Sequence, residues 1–224
     1  MLGNRYLRAL VAAVAVAIAA AWWLTRPQSL AAADLPDHDP DPVAGERVFW
    51  AGGCASCHAT PVDGRRAKGD DKLLLGGGLE LDTPYGVFRV PNISSHPDHG
   101  IGGWSRAEIV TAVMQGTSPN GRHYYPAFPY AAYGKMTPQD AVDLAAYLET
   151  LPESEAENRP HGLGFPFTIR RGLGLWKMLF VSDDWVLADV ADEKVERGRY
   201  LSEALAHCGE CHTPRGPLGG RSSR

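Results

Sequence analysis

An unbroken apolar run from Ala9 to Leu24, rich in Ala and Val and ending in Trp22-Trp23, opens the hydrophobic pattern of the chain and predicts a helix. At ~1.5 Å per residue the run covers about 24 Å, slightly short of a ~30 Å hydrocarbon core, so a crossing would draw on Leu7, Arg8 or Thr25 at its edges. Arg5 and Arg8 precede the run and only Arg26 closely follows it, which puts the rest of the chain outside the cytoplasm. Ala31-Ala32-Ala33 offers a cleavage site for an export signal, whereas the Trp pair fits the outer interfacial belt of a retained helix. The retained anchor is the favoured reading. Pro27 to Pro42, with its prolines and aspartates, reads as a flexible spacer.

Helical periodicity returns further on. Ile109, Val110, Val113 and Met114 lie on a helix opened by a Ser105-to-Glu108 capping box and stopped at Gly116. Thr137-Pro138-Gln139-Asp140 supplies an N-cap, a proline at the first helical position and an acidic first turn, after which Ala141, Leu144, Ala145, Leu148 and Leu151 form one stripe. Two further short helices are predicted to open at Gly45 and Gly198, in the related strings Gly45-Glu46-Arg47-Val48-Phe49-Trp50 and Gly198-Arg199-Tyr200-Leu201, a sign of internal duplication. Between Gly76 and Gly103 the Gly and Pro content predicts tight turns and close backbone approach. Trp104 and the Tyr124 to Tyr133 aromatics suit a core or a pocket equally, and Arg159 to Val190, with Trp176 and Trp185, reads as a connector.

With 224 residues and 44% hydrophobic content the chain is globular, of one or two domains. A net charge of −4 and the lack of a basic cluster among aromatics argue against nucleic acid as a partner. All four cysteines fall in two Cys-x-x-Cys-His strings, leaving none for a disulfide framework.

In Cys54-Ala55-Ser56-Cys57-His58 the two thiols lie one helical turn apart, in reach of the two vinyl groups of one porphyrin, and the next imidazole falls under the iron. Cys208-Gly209-Glu210-Cys211-His212 repeats this. A thioredoxin-type redox pair or half a zinc site would use Cys-x-x-Cys too, but two copies with His directly after each, far apart in an exported chain, favour two covalent haem c groups with His58 and His212 as iron ligands. A low-spin carrier needs a sixth ligand, commonly a Met thioether. Met136, on a loop held by the helix start at Thr137, is the preferred candidate for the first haem; Met114, on its apolar helix face, and His123 are the alternatives. The other histidines, His38, His96, His99 and His161, show no convincing ligand spacing and, with His123, are expected to face solvent, although His96 and His99 are close in one turn. No nucleophile with a base, carboxylate pair or phosphate loop stands out.

Gly76-Gly77-Gly78, Thr83-Pro84-Tyr85-Gly86, Pro91-Asn92-Ile93, Gly100-Ile101-Gly102-Gly103-Trp104-Ser105, Tyr125-Pro126-Ala127-Phe128-Pro129-Tyr130 and His207 to Arg215 follow one another in an order that resembles the multihaem cytochrome c subunits of membrane-bound periplasmic dehydrogenases, the alcohol and gluconate type. The resemblance runs from about Gly45 to the end. It implies a Met at the position of Met136 as distal ligand, loops around Gly86, Asn92 and Trp104 lining the haem pocket, and electron transfer from a periplasmic dehydrogenase to a respiratory-chain acceptor, a quinone or a terminal oxidase. The family continues well past its second pentapeptide, whereas this chain ends soon after His212. Residues from Glu193 are too few to enclose a porphyrin. The expectation is therefore a fragment of a longer cytochrome, or a second haem completed by Met178, a free His or another chain.

The expected fold is all-α: a signal-anchor segment over 1–26, a linker over 27–42, a cytochrome c-like domain over 43–152, a connector over 153–192 and an incomplete second module over 193–224, on the periplasmic side of a bacterial inner membrane. A dihaem peroxidase with one open iron and a haem-free thiol assembly protein are the rival readings.

Overall fold

The computed structural model describes residues 2–222, and most of its regular elements are helices. Helix α1, Leu2–Leu24, carries the apolar run; the stretch Asn4–Leu24 is long and apolar enough to cross a membrane and is not buried against the rest of the protein. The following segment is not a free spacer. The Leu30 amide donates to the Thr111 hydroxyl at 3.0 Å, Leu30 and Leu35 pack on the core, and the buried Asp143 carboxylate accepts from His38 Nε2 at 2.7 Å and from the Asp41 amide at 2.8 Å. Buried anion and backbone donor satisfy each other, so residues 27–42 are laid down along the domain.

Helix α2, Pro42–Ala51, is capped by the Asp41 side chain on the Val43 amide with Pro42 at the first position, and α3, Cys54–His58, follows after a left-handed Gly53. The helix thus starts before Gly45, contrary to expectation. Gly45 lies inside α2 because a Cβ there would collide with the Asp143 carbonyl oxygen. Its absence lets α2 close on α6.

Strands β1, Glu80–Thr83, and β2, Gly86–Arg89, form an antiparallel hairpin in which Thr83 pairs with Gly86 around Pro84-Tyr85. Helix α4, Arg106–Gln115, has the expected reciprocal Ser105–Glu108 cap and the Gly116 stop; α5 is the single turn Tyr130–Tyr133. Helix α6, Pro138–Leu148, begins at the expected Thr137 cap and is buried along most of its length. Strand β3, Gly162–Leu163, adds to β2 and completes a small sheet in the order β1-β2-β3. Helix α7, Gly172–Phe180, belongs to the connector.

The second pentapeptide is led in by α8, Glu193–Arg199, which runs without a break into a π-helical turn, Tyr200–Leu205, before α9, Cys208–His212. Here too the helix starts earlier than expected, at the Asp192 cap, with Gly198 in its interior. One core unites these pieces: Val48 and Phe49 of α2, Ile109 and Val110 of α4, Leu144, Ala145 and Leu148 of α6, Met136, and Leu205 from the second lead-in.

Candidate functional site

The first pentapeptide forms the single helical turn its chemistry requires. Gly53, at φ +67°, turns the chain so that α3 leaves α2 at once, with Cys54 half-buried and Cys57 exposed. Burial pushes the Cys54 thiol up to about 12 and raises Cys57 as well, against Arg66, which pulls Cys57 down. Both shifts favour the thiol over the thiolate.

His58 is set by its far nitrogen. Nδ1 donates to the Pro91 carbonyl at 2.9 Å, which leaves Nε2 as the free lone pair, the second-sphere bond that orients a metal-bound imidazole. Protein packed round the ring lowers its pKa to about 4, the Pro91 bond partly opposing this. The carbonyl is itself held in place. Gly77, at φ +71°, donates its amide to the His58 carbonyl at 2.8 Å, and a Cβ there would stand 2.5 Å from the Pro91 carbonyl carbon and oxygen. Asn92, almost fully buried, donates to the Ser154 and Ala156 carbonyls at 2.8 and 2.9 Å, accepts from the Ser94 amide at 2.8 Å, and receives support from Asn158 at its own amide. These supports lie in the Gly76 and Pro91 strings quoted above, but their task is visible only once the His58 bond is.

Among the candidate distal ligands Met136 is 3% exposed and lies in the core, on the loop directly before the α6 cap. Met114 packs at the core margin from α4, and Met178 is 56% exposed on α7. His123 is buried, contrary to the expectation of a solvent-facing ring, and its Nε2 is committed to the Thr25 carbonyl at 2.9 Å, at the end of α1. His96 is buried as well. Its Nδ1 accepts the Asp98 and His99 amides at 3.1 Å each, so Nε2 carries the proton and points at the Glu155 carboxylate, 3.3 Å away. With its lone pair used on backbone donors, His96 closes a turn beside His99 and Glu155 and is poorly disposed to hold an ion there. His161, half-buried, accepts the Arg89 amide at 3.1 Å, and His38 is tied to Asp143. Each of these rings is held by at least one hydrogen bond, which spacing along the chain does not disclose.

The second pentapeptide mirrors the first and differs from it. The residue before Cys208 is again left-handed, but here it is His207, at φ +43°. Cys208, Cys211 and His212 are all exposed. Arg215 and Arg221 hold Glu210 from the tail, Arg215 at 2.5 Å. Tyr133 joins the two motifs: its hydroxyl donates to the Gly52 carbonyl at 2.6 Å, and its ring meets His207 edge-on with centroids 5.5 Å apart. Cys211 is close enough to add to the rise of the Cys57 thiol.

Residues 42–152 match the family described as cytochrome c. A dihaem c-type cytochrome of Cereibacter sphaeroides is 51% identical over 217 residues, covering 96% of this chain and 72% of that protein. This chain is a c-type cytochrome. It is also 36% identical to the fructose dehydrogenase cytochrome subunit of Gluconobacter japonicus over 80% of the chain and 36% of that protein, and 36% identical to the cytochrome c subunit of the quinone alcohol dehydrogenase of Gluconacetobacter polyoxogenes, over 83% of the chain and 39% of that protein. The cytochrome therefore spans well under half the length of those dehydrogenase subunits. The mostly helical fold, the covalent haem c with its iron and the role of electron carrier stand as expected, and the peroxidase reading gains no support from these relatives. The small sheet is an addition to the all-α expectation: strands of four residues or fewer in a Gly- and Pro-rich stretch leave too little alternation to be read.

Proposed function

We propose that Cys54 and Cys57 attach one haem with His58 and Met136 as its axial ligands, that Cys208 and Cys211 attach a second on His212, and that the cytochrome passes electrons from a periplasmic dehydrogenase subunit to a respiratory acceptor, a quinone or a terminal oxidase. The observation that carries this reading is the His58 Nδ1 bond to the Pro91 carbonyl, which frees Nε2 for iron in a turn that presents both thiols. Covalent haem supplies a one-electron iron couple. The chain's own residues do the rest. Pro91, Gly77 and Asn92 orient the imidazole, the α6 cap fixes the Met136 loop, and Tyr133 keeps the two attachment turns beside each other. The dehydrogenase partner is favoured by the names of the relatives.

Helix α1, with its preceding arginines and its Trp pair, is read as a retained anchor in the inner membrane, so that the chain divides into anchor 1–26, linker 27–42, haem domain 43–152, connector 153–192 and second haem module from 193. Intact mass and visible spectra of protein matured in a periplasm, compared with Met136→Ala, test the haem assignments. Two covalent haems and a Met-to-iron charge-transfer band that vanishes in the variant are expected. A band that survives would mean that another residue is the ligand.

A further inference from the structure

Helix α7 is amphipathic in an inverted sense. Successive helical residues turn by ~100°, so Leu173, Trp176, Lys177 and Phe180 share one side and Arg171, Gly174, Leu175 and Met178 the other. The first side faces the protein. Lys177 Nζ donates to the Gln115 and Gly116 carbonyls at the end of α4 at 2.6 and 2.8 Å, Trp176 donates to the Leu218 carbonyl, and Phe180 packs against Gly220. The polar group thus points inward, and the outward side is greasy. Leu175, Met178 and Leu179 are 54%, 56% and 62% exposed, and the segment leading into the helix adds Phe165 at 83% and Ile169 at 54%. Scattered apolar residues on a surface need no explanation; a stripe continued by the preceding loop does.

The place of this stripe in the fold says what covers it. Gly174 packs so closely on Thr25, the residue after α1, that a Cβ would collide with the Thr25 carbonyl oxygen. Arg171 donates to the Trp22 carbonyl and stacks over the Trp22 ring at 4.2 Å, and His123 takes the Thr25 carbonyl from the other side. Arg26 lies over Trp23 at 4.5 Å. The outward face of α7 is therefore continuous with the outer end of α1, at the level where tryptophans and arginines meet lipid headgroups.

We propose that this face of α7, with Phe165 and Ile169, is a second membrane contact that lies in the headgroup boundary of the bilayer α1 crosses, its occupant being lipid. The proposal rests on the reading of α1 as a retained anchor. Leu175, Met178 and Leu179 enter the acyl boundary, while Arg26 and Arg171 meet lipid phosphates, and the domain is held against the membrane instead of standing off it.

The test uses the haem-loaded full chain in vesicles of phosphatidylcholine and phosphatidylglycerol, with nitroxide labels on Leu175→Cys, Leu179→Cys, Val14→Cys and Asp70→Cys, and compares collision with oxygen, which partitions into lipid, and with a water-soluble nickel chelate. The three positions outside α1 are exposed, and the Soret spectrum reports whether each variant keeps its haem environment. Labels at 175 and 179 are expected to favour oxygen over nickel, as at position 14, while position 70 favours nickel. If 175 and 179 behave like 70 while 14 is in lipid, the face does not touch the membrane and the proposal falls, with the anchor standing. If 14 is in water while 175 and 179 are in lipid, the face binds membrane and the anchor reading falls. All three in water would overturn both.

Discussion

The His58 imidazole owes its orientation to residues outside its own helical turn. Asn92 makes its three side-chain hydrogen bonds where water cannot replace them, so Asn92→Ala is expected to cost about 3 kcal/mol of stability and to let the Pro91 carbonyl drift. A weaker Nδ1 bond makes the imidazole a poorer donor to iron, which favours the ferrous state. The reduction potential of the first haem should therefore rise in a potentiometric titration of this variant; an unchanged potential would show that the carbonyl is held without Asn92. Lys177 illustrates a different balance. Burial lowers its amine to about 8 from the ordinary 10.5, so between those pH values the folded chain binds fewer protons than the unfolded one, and stability contributed through this group rises with pH. Urea unfolding of wild type and Lys177→Met at pH 7 and pH 10 should show the gap between them shifting in favour of wild type at the higher pH. A constant gap would mean that the amine is not desolvated. Asn92 stands in a string the sequence displays, but its task does not, and Lys177 carries no signal at all: the pentapeptides and the Thr137 cap are local patterns, whereas the burial of Asn92, His96 and His123 depends on segments that arrive from elsewhere in the chain.

At the scale of elements, the two lead-ins show how a duplicated unit is adapted. One residue more separates Gly198 from Cys208 than Gly45 from Cys54, and the π-helical turn over Tyr200–Leu205 absorbs it. The related strings make the duplication legible, but a π turn has no sequence signature. Its first residue, Tyr200, reaches across to α6: the hydroxyl accepts the Thr137 amide at 3.1 Å and donates to Asp140 at 2.5 Å. The cap that fixes the Met136 loop is therefore shared with the second lead-in. Tyr200→Phe should lower stability by about 1–3 kcal/mol and weaken the Met-to-iron band, read by urea unfolding and visible absorption. If both are unchanged, the two units are independent of each other at this point. The small sheet belongs to this scale too, since its third strand is only Gly162–Leu163 and pairs across a long interval of sequence.

For the molecule as a whole, the segment over residues 27–42 matters most. Sequence composition predicts a tether, and a flexible chain of that length would give the domain a reach of about 20 Å around its attachment point. Asp143, Thr111 and the core contacts of Leu30 and Leu35 remove that freedom, because they bind the segment at several points along its length. A cytochrome on a loose arm serves donor and acceptor in turn, as a shuttle, and its turnover is limited by how fast the arm swings. One strapped down in this way has no swing to wait for. With the proposed anchor and partners, donor and acceptor would both have to reach it in a single pose, the charge moving through a stationary body.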